Sequence, residues 1–119
     1  MQSSKLECRI HDILTEADIP FTEEYIFSDL KSSSGRNLRF DFAIFDDEGN
    51  LDYLIEAQGE QHYHAVPHFG GARGLKRQQY NDDLKRRYCM QNNIRLVTIP
   101  YFDANKLNYE YLMKKVGYM

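Results

Sequence analysis

The chain has 119 residues, 42% hydrophobic and 28% charged, with nine Tyr and seven Phe. That is enough apolar surface for one packed domain over 1–119, and no apolar run nears the roughly 20 residues that span a bilayer, so a membrane partner is not expected. Cys8 and Cys89 are too few and too far apart for a disulfide framework, and Met1-Gln2-Ser3-Ser4-Lys5 lacks the apolar stretch of a signal peptide, so reduced thiols and a cytoplasmic location are expected.

Residues 3–17 read as a helix. Leu6, Ile10, Ile13, Leu14 and Ala17 form one apolar stripe, Ser4-Lys5-Leu6-Glu7 fits a capping box, and Asp18-Ile19-Pro20 ends the run. Alternation from Phe21 to Phe27 predicts a first strand, and residues 29–37, with Ser32-Ser33-Ser34-Gly35, predict a loop. Residues 39–45 and 51–58 are β-branched and aromatic runs around the turn cluster Asp46-Asp47-Glu48-Gly49-Asn50, which predicts a hairpin. Residues 59–74 read as a loop with Pro67 and three glycines after His68. Residues 75–92 read as a second helix, 94–99 as a buried strand ended by Pro100, and 105–115 as a closing helix with Leu107, Tyr111 and Leu112 inward. The order is αβββαβα, an α/β class, and a buried strand that follows a helix predicts a mixed four-stranded sheet with helices on its faces.

Folding the hairpin about its turn sets Asp41 opposite or nearly opposite Glu56, with cross-strand Cβ atoms about 5 Å apart, where like charges repel. A hard divalent cation between the carboxylates relieves that repulsion, because such ions take oxygen ligands. Gln58 shares the face of Glu56, two residues away. Phe40, Phe42 and Ile44 are expected to point the other way, into apolar packing, while Ala43, Phe45 and Leu54 share the carboxylate face and make it something other than a polar exterior. His62 and His64 follow at once and are the natural proton carriers, since only histidine titrates near neutral pH unaided. For His64 and His68 a plain hydrogen bond at the strand end is the competing role, and a zinc site lacks nearby Cys or further His ligands. Glu7 is both the capping glutamate and a group able to reach the sheet. Lys85 can stabilise phosphate charge or pair with Asp82 on the surface.

Net charge is −3, yet residues 71–95 hold seven basic and two acidic side chains, a local +5 that leaves −8 on the rest. Arg73, Lys76, Arg77, Lys85, Arg86 and Arg87 therefore form a candidate phosphate-binding face, against the alternative of a solvated helix.

A helix glutamate, then Phe-Asp-Phe at 40–42, then Ile-Glu-Ala-Gln-Gly-Glu-Gln-His-Tyr at 55–63, then Asp82-x-x-Lys85-x-x-x-Cys89 and an apolar strand ending Ile-Pro-Tyr resemble the PD-(D/E)XK nuclease superfamily. Within it, the chain looks most like the branch of the very-short-patch repair endonuclease and the phage EDxHD-type homing endonucleases. The resemblance runs from Glu7 to Tyr101. It implies a restriction-endonuclease-like core and Mg²⁺-dependent hydrolysis of DNA phosphodiester bonds, with Mn²⁺ as a second usable ion. It implies Asp41, Glu56 and the Ala57 carbonyl as metal ligands, Glu7 and His62 as catalytic groups, and Asp82 with Lys85 as the helix pair, with His64 behind. It implies a phage or bacterial host setting. The superfamily's lysine position holds Gln58 here, which leaves Gln58, His62 or Lys85 for that role. Two other readings compete: a catalytically silent nuclease fold that binds nucleic acid, and an interaction domain whose acidic faces meet a basic partner. At this size, target recognition calls for a homodimer or a separate DNA-recognition module.

Overall fold

The computed structural model describes residues 4–119. It contains α1 (Lys5–Glu16), β1 (Phe21–Lys31), β2 (Asn37–Phe45), β3 (Leu51–Gln58), α2 (Gly71–Gln91), β4 (Arg95–Pro100) and α3 (Tyr109–Val116), in the expected αβββαβα order. Short 3-10 segments cover Glu60–His62, Pro67–Phe69 and Tyr101–Lys106. The sheet order is β1-β2-β3-β4: the first three strands pair antiparallel, and β4 joins β3 in parallel after the α2 crossover. The α/β class with a mixed four-stranded sheet is thus observed.

Local chemistry explains the ends. Ser4 Oγ accepts the Glu7 backbone N–H at 3.1 Å and starts α1, as the capping box predicts. The expected first helical residue, Ser3, lies outside the described residues, as does the Met1–Gln2 part of the N-terminal stretch. In the hairpin turn, Asp46 Oδ1 accepts the N–H groups of Glu48 and Asn50, each at 2.9 Å, while Gly49 takes φ +83°. Asn108 caps α3 by accepting the Tyr111 N–H at 2.8 Å.

Two cores lie on the two faces of the sheet. Leu6, Ile10 and Leu14 of α1 and Leu112, Met113 and Val116 of α3 pack on Phe42, Ile44, Tyr53, Ile55, Val97 and Ile99. Leu84, Tyr88 and Cys89 of α2 pack on Phe40, Ala43 and Leu54. Ala43, Phe45 and Leu54 do share one face, as expected, but Phe40 lies with them and not with Phe42 and Ile44 on the other face, where it was expected. The reason is a break in alternation around Asp41. The β1 partner segment carries Glu24 at φ +54°, and the pairs Glu23↔Phe42 and Tyr25↔Phe40 flank an unpaired Glu24 and Asp41. A kink at that point swaps which face the flanking residues meet.

Most bounds shift by one or two residues, β2 to Asn37–Phe45 and β4 to Arg95–Pro100 among them, and three differ by more. β1 runs to Lys31, because its partner β2 begins at Asn37 and buries Leu30 beside Leu38, which shrinks the serine loop to residues 32–36. α2 starts four residues early, at Gly71. The glycines that read as a loop serve the helix instead: Gly70, at φ +90°, turns the chain, and Gly74 lies so close to the Phe69 carbonyl that any Cβ would overlap it. α3 is shorter than expected, because Tyr101–Lys106 winds as 3-10 before it.

Candidate active site

The β2–β3 register pairs Phe42 with Ile55, so Asp41 and Glu56 come next, facing each other. The regular ladder stops at that point, and the two carboxylates bridge the separating strands. Glu56 Oε1 accepts the Asp41 N–H at 3.1 Å, and Asp41 Oδ2 accepts the Ala57 N–H at 2.7 Å. Each acid therefore sits where a backbone carbonyl would otherwise close the sheet. From the α2 side, Lys85 Nζ donates to Glu56 Oε2 at 3.2 Å and lies 5.4 Å from the centre of the Phe40 ring. Both partners are buried, Glu56 at 4% and Lys85 at 8% exposure.

Glu7 reaches the same place from the first turn of α1. A cleft of about 680 Å³ is lined by Glu7, Asp41, Glu56, Ala57, His62 and Lys85, with Arg36, Arg39, Arg77, Gln61, Gln78 and Asn81 around them. His62 Nδ1 lies 2.8 Å from Asp82 Oδ2. An ionised carboxylate only accepts, so Nδ1 carries the hydrogen and Nε2 is the nitrogen left to exchange a proton. Gln78 Nε2 donates to the other oxygen of Asp82 at 3.1 Å and steadies it.

The cleft lining as a whole carries as many bases (Arg36, Arg39, Arg77, Lys85) as acids (Glu7, Glu24, Asp41, Glu56), but three of its carboxyls are shifted. Burial pushes the Glu56 carboxyl up to about 8, with the neighbouring Asp41 charge adding to the rise and Lys85 opposing it. Burial also raises Asp41, against the pull of the Ala57 N–H and Lys85. Glu7 is raised by burial and then by Asp41. Of the cleft's basic side chains, only Lys85 is in direct contact with one of these three carboxyls, so local neutralisation at Asp41 and Glu56 falls short.

That shortage is the test of whether a divalent cation suits the site. Among the described residues, no three His, Cys, Asp or Glu side chains converge to enclose an ion. Magnesium does not require such a cage: it keeps several waters and binds through one or two carboxylates plus substrate phosphate. Asp41 and Glu56, oxygen donors side by side with Lys85 as their one contacting cation, meet that need, with Ala57 in the same wall.

The comparisons with known proteins add relatives. The chain is 37% identical over 89 residues to uncharacterized protein 307L of Invertebrate iridescent virus 6, covering 73% of this chain and 45% of that protein. It is 41% identical over 54 residues to uncharacterized protein 094L of Frog virus 3 (isolate Goorha), covering 44% of this chain and 35% of the relative. The chain thus spans less than half the length of these curated relatives. No family model matches it, and no solved structure matches it.

Of the residues singled out in the sequence, Glu7, Asp41, Glu56, Ala57, His62, Lys85 and Arg77 meet in the cleft, and Asp82 stands behind His62. Gln58 and His64 do not. Gln58 accepts the Tyr63 hydroxyl at 2.6 Å and lines a separate cavity beyond the Glu56–Lys85 pair, because β3 carries it past the cleft. His64 is exposed beside Tyr101, with ring centres 6.5 Å apart. The expected basic face of α2 is divided as well. Arg86 and Arg87 both pair with Asp83, Lys85 is buried on Glu56, and Arg73 and Lys76 are exposed outside the cleft. Sequence reasoning missed Arg36, Arg39, Gln61, Gln78 and Asn81. Arg39 had a signal, standing two residues before Asp41 on one strand, and Gln78 and Asn81 stand four before Asp82 and Lys85 on one helix. Arg36 had none, because only the β1–β2 connection brings it there.

Among the described residues no helix is long and apolar enough to cross a membrane.

Proposed function

We propose that this chain is a Mg²⁺-dependent endodeoxyribonuclease of the PD-(D/E)XK type, hydrolysing phosphodiester bonds in the Asp41–Glu56 cleft. The observation that carries the reading is the pairing of Asp41 with Glu56 across a splayed strand end, within one cleft that also holds Lys85 and His62.

Asp41 and Glu56 would hold the ion. When bound, Mg²⁺ supplies the charge that polarises the scissile phosphate and acidifies a water. The Lys85 ammonium orients Glu56 and stabilises negative charge growing on the phosphate oxygens. His62 moves a proton through Nε2, and Asp82 holds the ring in the tautomer that allows it. Glu7, half-buried in the cleft lining, would accept a hydrogen bond from the attacking water. Lys85 takes the lysine role left open by Gln58: it is in the cleft and Gln58 is not. The two viral relatives support a virus-borne setting, and a homodimer or separate module would supply target recognition.

The test incubates the pure protein with supercoiled plasmid and with single-stranded DNA in Mg²⁺, Mn²⁺ or EDTA, beside an Asp41→Ala, Glu56→Ala double variant. Cutting that needs metal and vanishes in the variant is expected. A folded protein that cuts nothing under any of these conditions favours the second reading, a silent nuclease fold that binds nucleic acid. The 3.2 Å Lys85–Glu56 pair, which already part-neutralises the site without a metal, is the observation that favours it.

A further inference from the structure

The floor of the cleft is acidic, so a polyanion needs cations elsewhere to enter it. Most of the basic side chains near it already have carboxylate partners: Arg39 with Glu24 at 3.2 Å, Lys85 with Glu56, and Arg86 and Arg87 with Asp83. Two cleft-lining arginines form no such pair among the described residues. Arg36 stands on the β1–β2 loop and Arg77 on α2, and both are exposed.

These two walls have no common origin in the chain. The Arg36 loop is a tight turn, closed by the Ser32 N–H on the Arg36 carbonyl at 2.8 Å and the Gly35 N–H on the Ser32 carbonyl at 3.0 Å, with Gly35 at φ +84°. Ser32, Ser33 and Ser34 line the cleft beside it and offer hydroxyl donors. Arg77 lies one turn before Asn81 and two before Lys85 on α2, within the same cleft. The guanidinium's planar fork matches a phosphate in two hydrogen bonds at once, and an unpaired guanidinium does so without first breaking an ion pair.

We propose that Arg36 and Arg77 form a two-walled clamp on the phosphates flanking the scissile one, so that a nucleic-acid strand lies along the cleft between the β1–β2 loop and α2. The proposal rests on the nuclease reading and adds a binding site to it. It moves the phosphate contacts away from the basic run of α2, where charge counting put them, to one residue of that helix and one from the β1–β2 loop.

The test uses the full chain and fluorescein-labelled DNA, duplex and single-stranded, with Ca²⁺ in place of Mg²⁺ to permit binding. Affinity is followed by anisotropy from roughly 50 to 200 mM salt. The proteins are wild type, Arg36→Gln, Arg77→Gln, the double variant and Lys114→Gln, an equal charge loss on exposed α3. Far-UV circular dichroism checks folding, and plasmid cutting in Mg²⁺ runs in parallel. Each cleft variant should weaken binding several-fold on every sequence and lower the log–log salt slope by about 0.7–0.9, the double variant by about twice that, and Lys114→Gln by nothing. A double variant with the wild-type slope, or a Lys114→Gln loss equal to that of Arg36→Gln, overturns the clamp; if wild type still cuts plasmid, the nuclease reading survives. A wild type that neither binds nor cuts overturns both.

Discussion

Glu56 shows what one buried residue does in this site. It is 4% exposed, and its carboxyl is pushed up to about 8, first by burial. A folded-state value above the unfolded one means that folding takes up a proton. The stabilisation this brings is fully present below the ordinary glutamate range and is lost as pH rises towards 8. In EDTA, thermal melts should therefore fall between about pH 5 and pH 8, with a limiting slope of about 1.4 kcal/mol per pH unit from this group. Glu56→Gln should flatten that fall, and a slope unchanged in Glu56→Gln would show that other groups set it. His62 belongs to the same scale. Its Asp82 partner at 2.8 Å fixes the ring, so His62→Ala should lower plasmid cutting about 10²–10⁴-fold, and Asp82→Asn should lower it in the same direction by freeing the tautomer. Single-turnover rates at saturating protein measure both, and an Asp82→Asn rate equal to wild type would remove the His62 role. Asp41, Glu56 and His62 were legible in the sequence because strand register and a short loop connect them. Gln58 was misleading: parity gives its face correctly, but not its distance along the strand from the cleft.

At the scale of elements, periodicity placed every helix and strand, and glycine caused the main error in bounds. Three glycines at 70, 71 and 74 look like a loop when only local propensity is weighed. In the fold they open α2, since Gly74 packs where the Phe69 carbonyl excludes a side chain. Gly74→Ala should therefore cost about 2 kcal/mol or more by urea denaturation, against the gain a mid-helix Gly→Ala change ordinarily brings. At the other end of the fold, Ser4 caps α1 and holds Glu7 near the cleft. Ser4→Ala should cost about 1 kcal/mol in the same measurement. A wild-type midpoint for Ser4→Ala would show that α1 holds its start by packing alone. The swap of Phe40 to the α2 face belongs here too. No alternation rule foresees it, because it follows from the kink that Glu24 and Asp41 make together across two strands.

Across the whole molecule, the sheet separates two cores, and Lys85 ties one to the site. It comes from α2, pairs with Glu56 of β3 and covers Phe40 of β2. Lys85→Met keeps the volume and removes the charge, leaving a buried carboxyl with no cation. Because Glu56 already sits near 8 and rises further without Lys85, the expected loss is small at pH 6, where the carboxyl is protonated, and grows at pH 9, where its charge is stranded. Equal losses at both pH values would mean that lost packing, not the stranded charge, is the cause. Length and composition, the αβββαβα order, the apolar stripes and the Asp41–Glu56 pairing were determined by the sequence itself, because each depends on spacing within one element or across one tight turn. Tertiary structure alone decided that Lys85 is buried while Arg86 and Arg87 turn to Asp83, that Gln58 falls outside the cleft, and that Arg36 joins Arg77 there. These outcomes depend on where strands part and how a helix docks on them, and such distances between elements are set by packing, which no local spacing encodes.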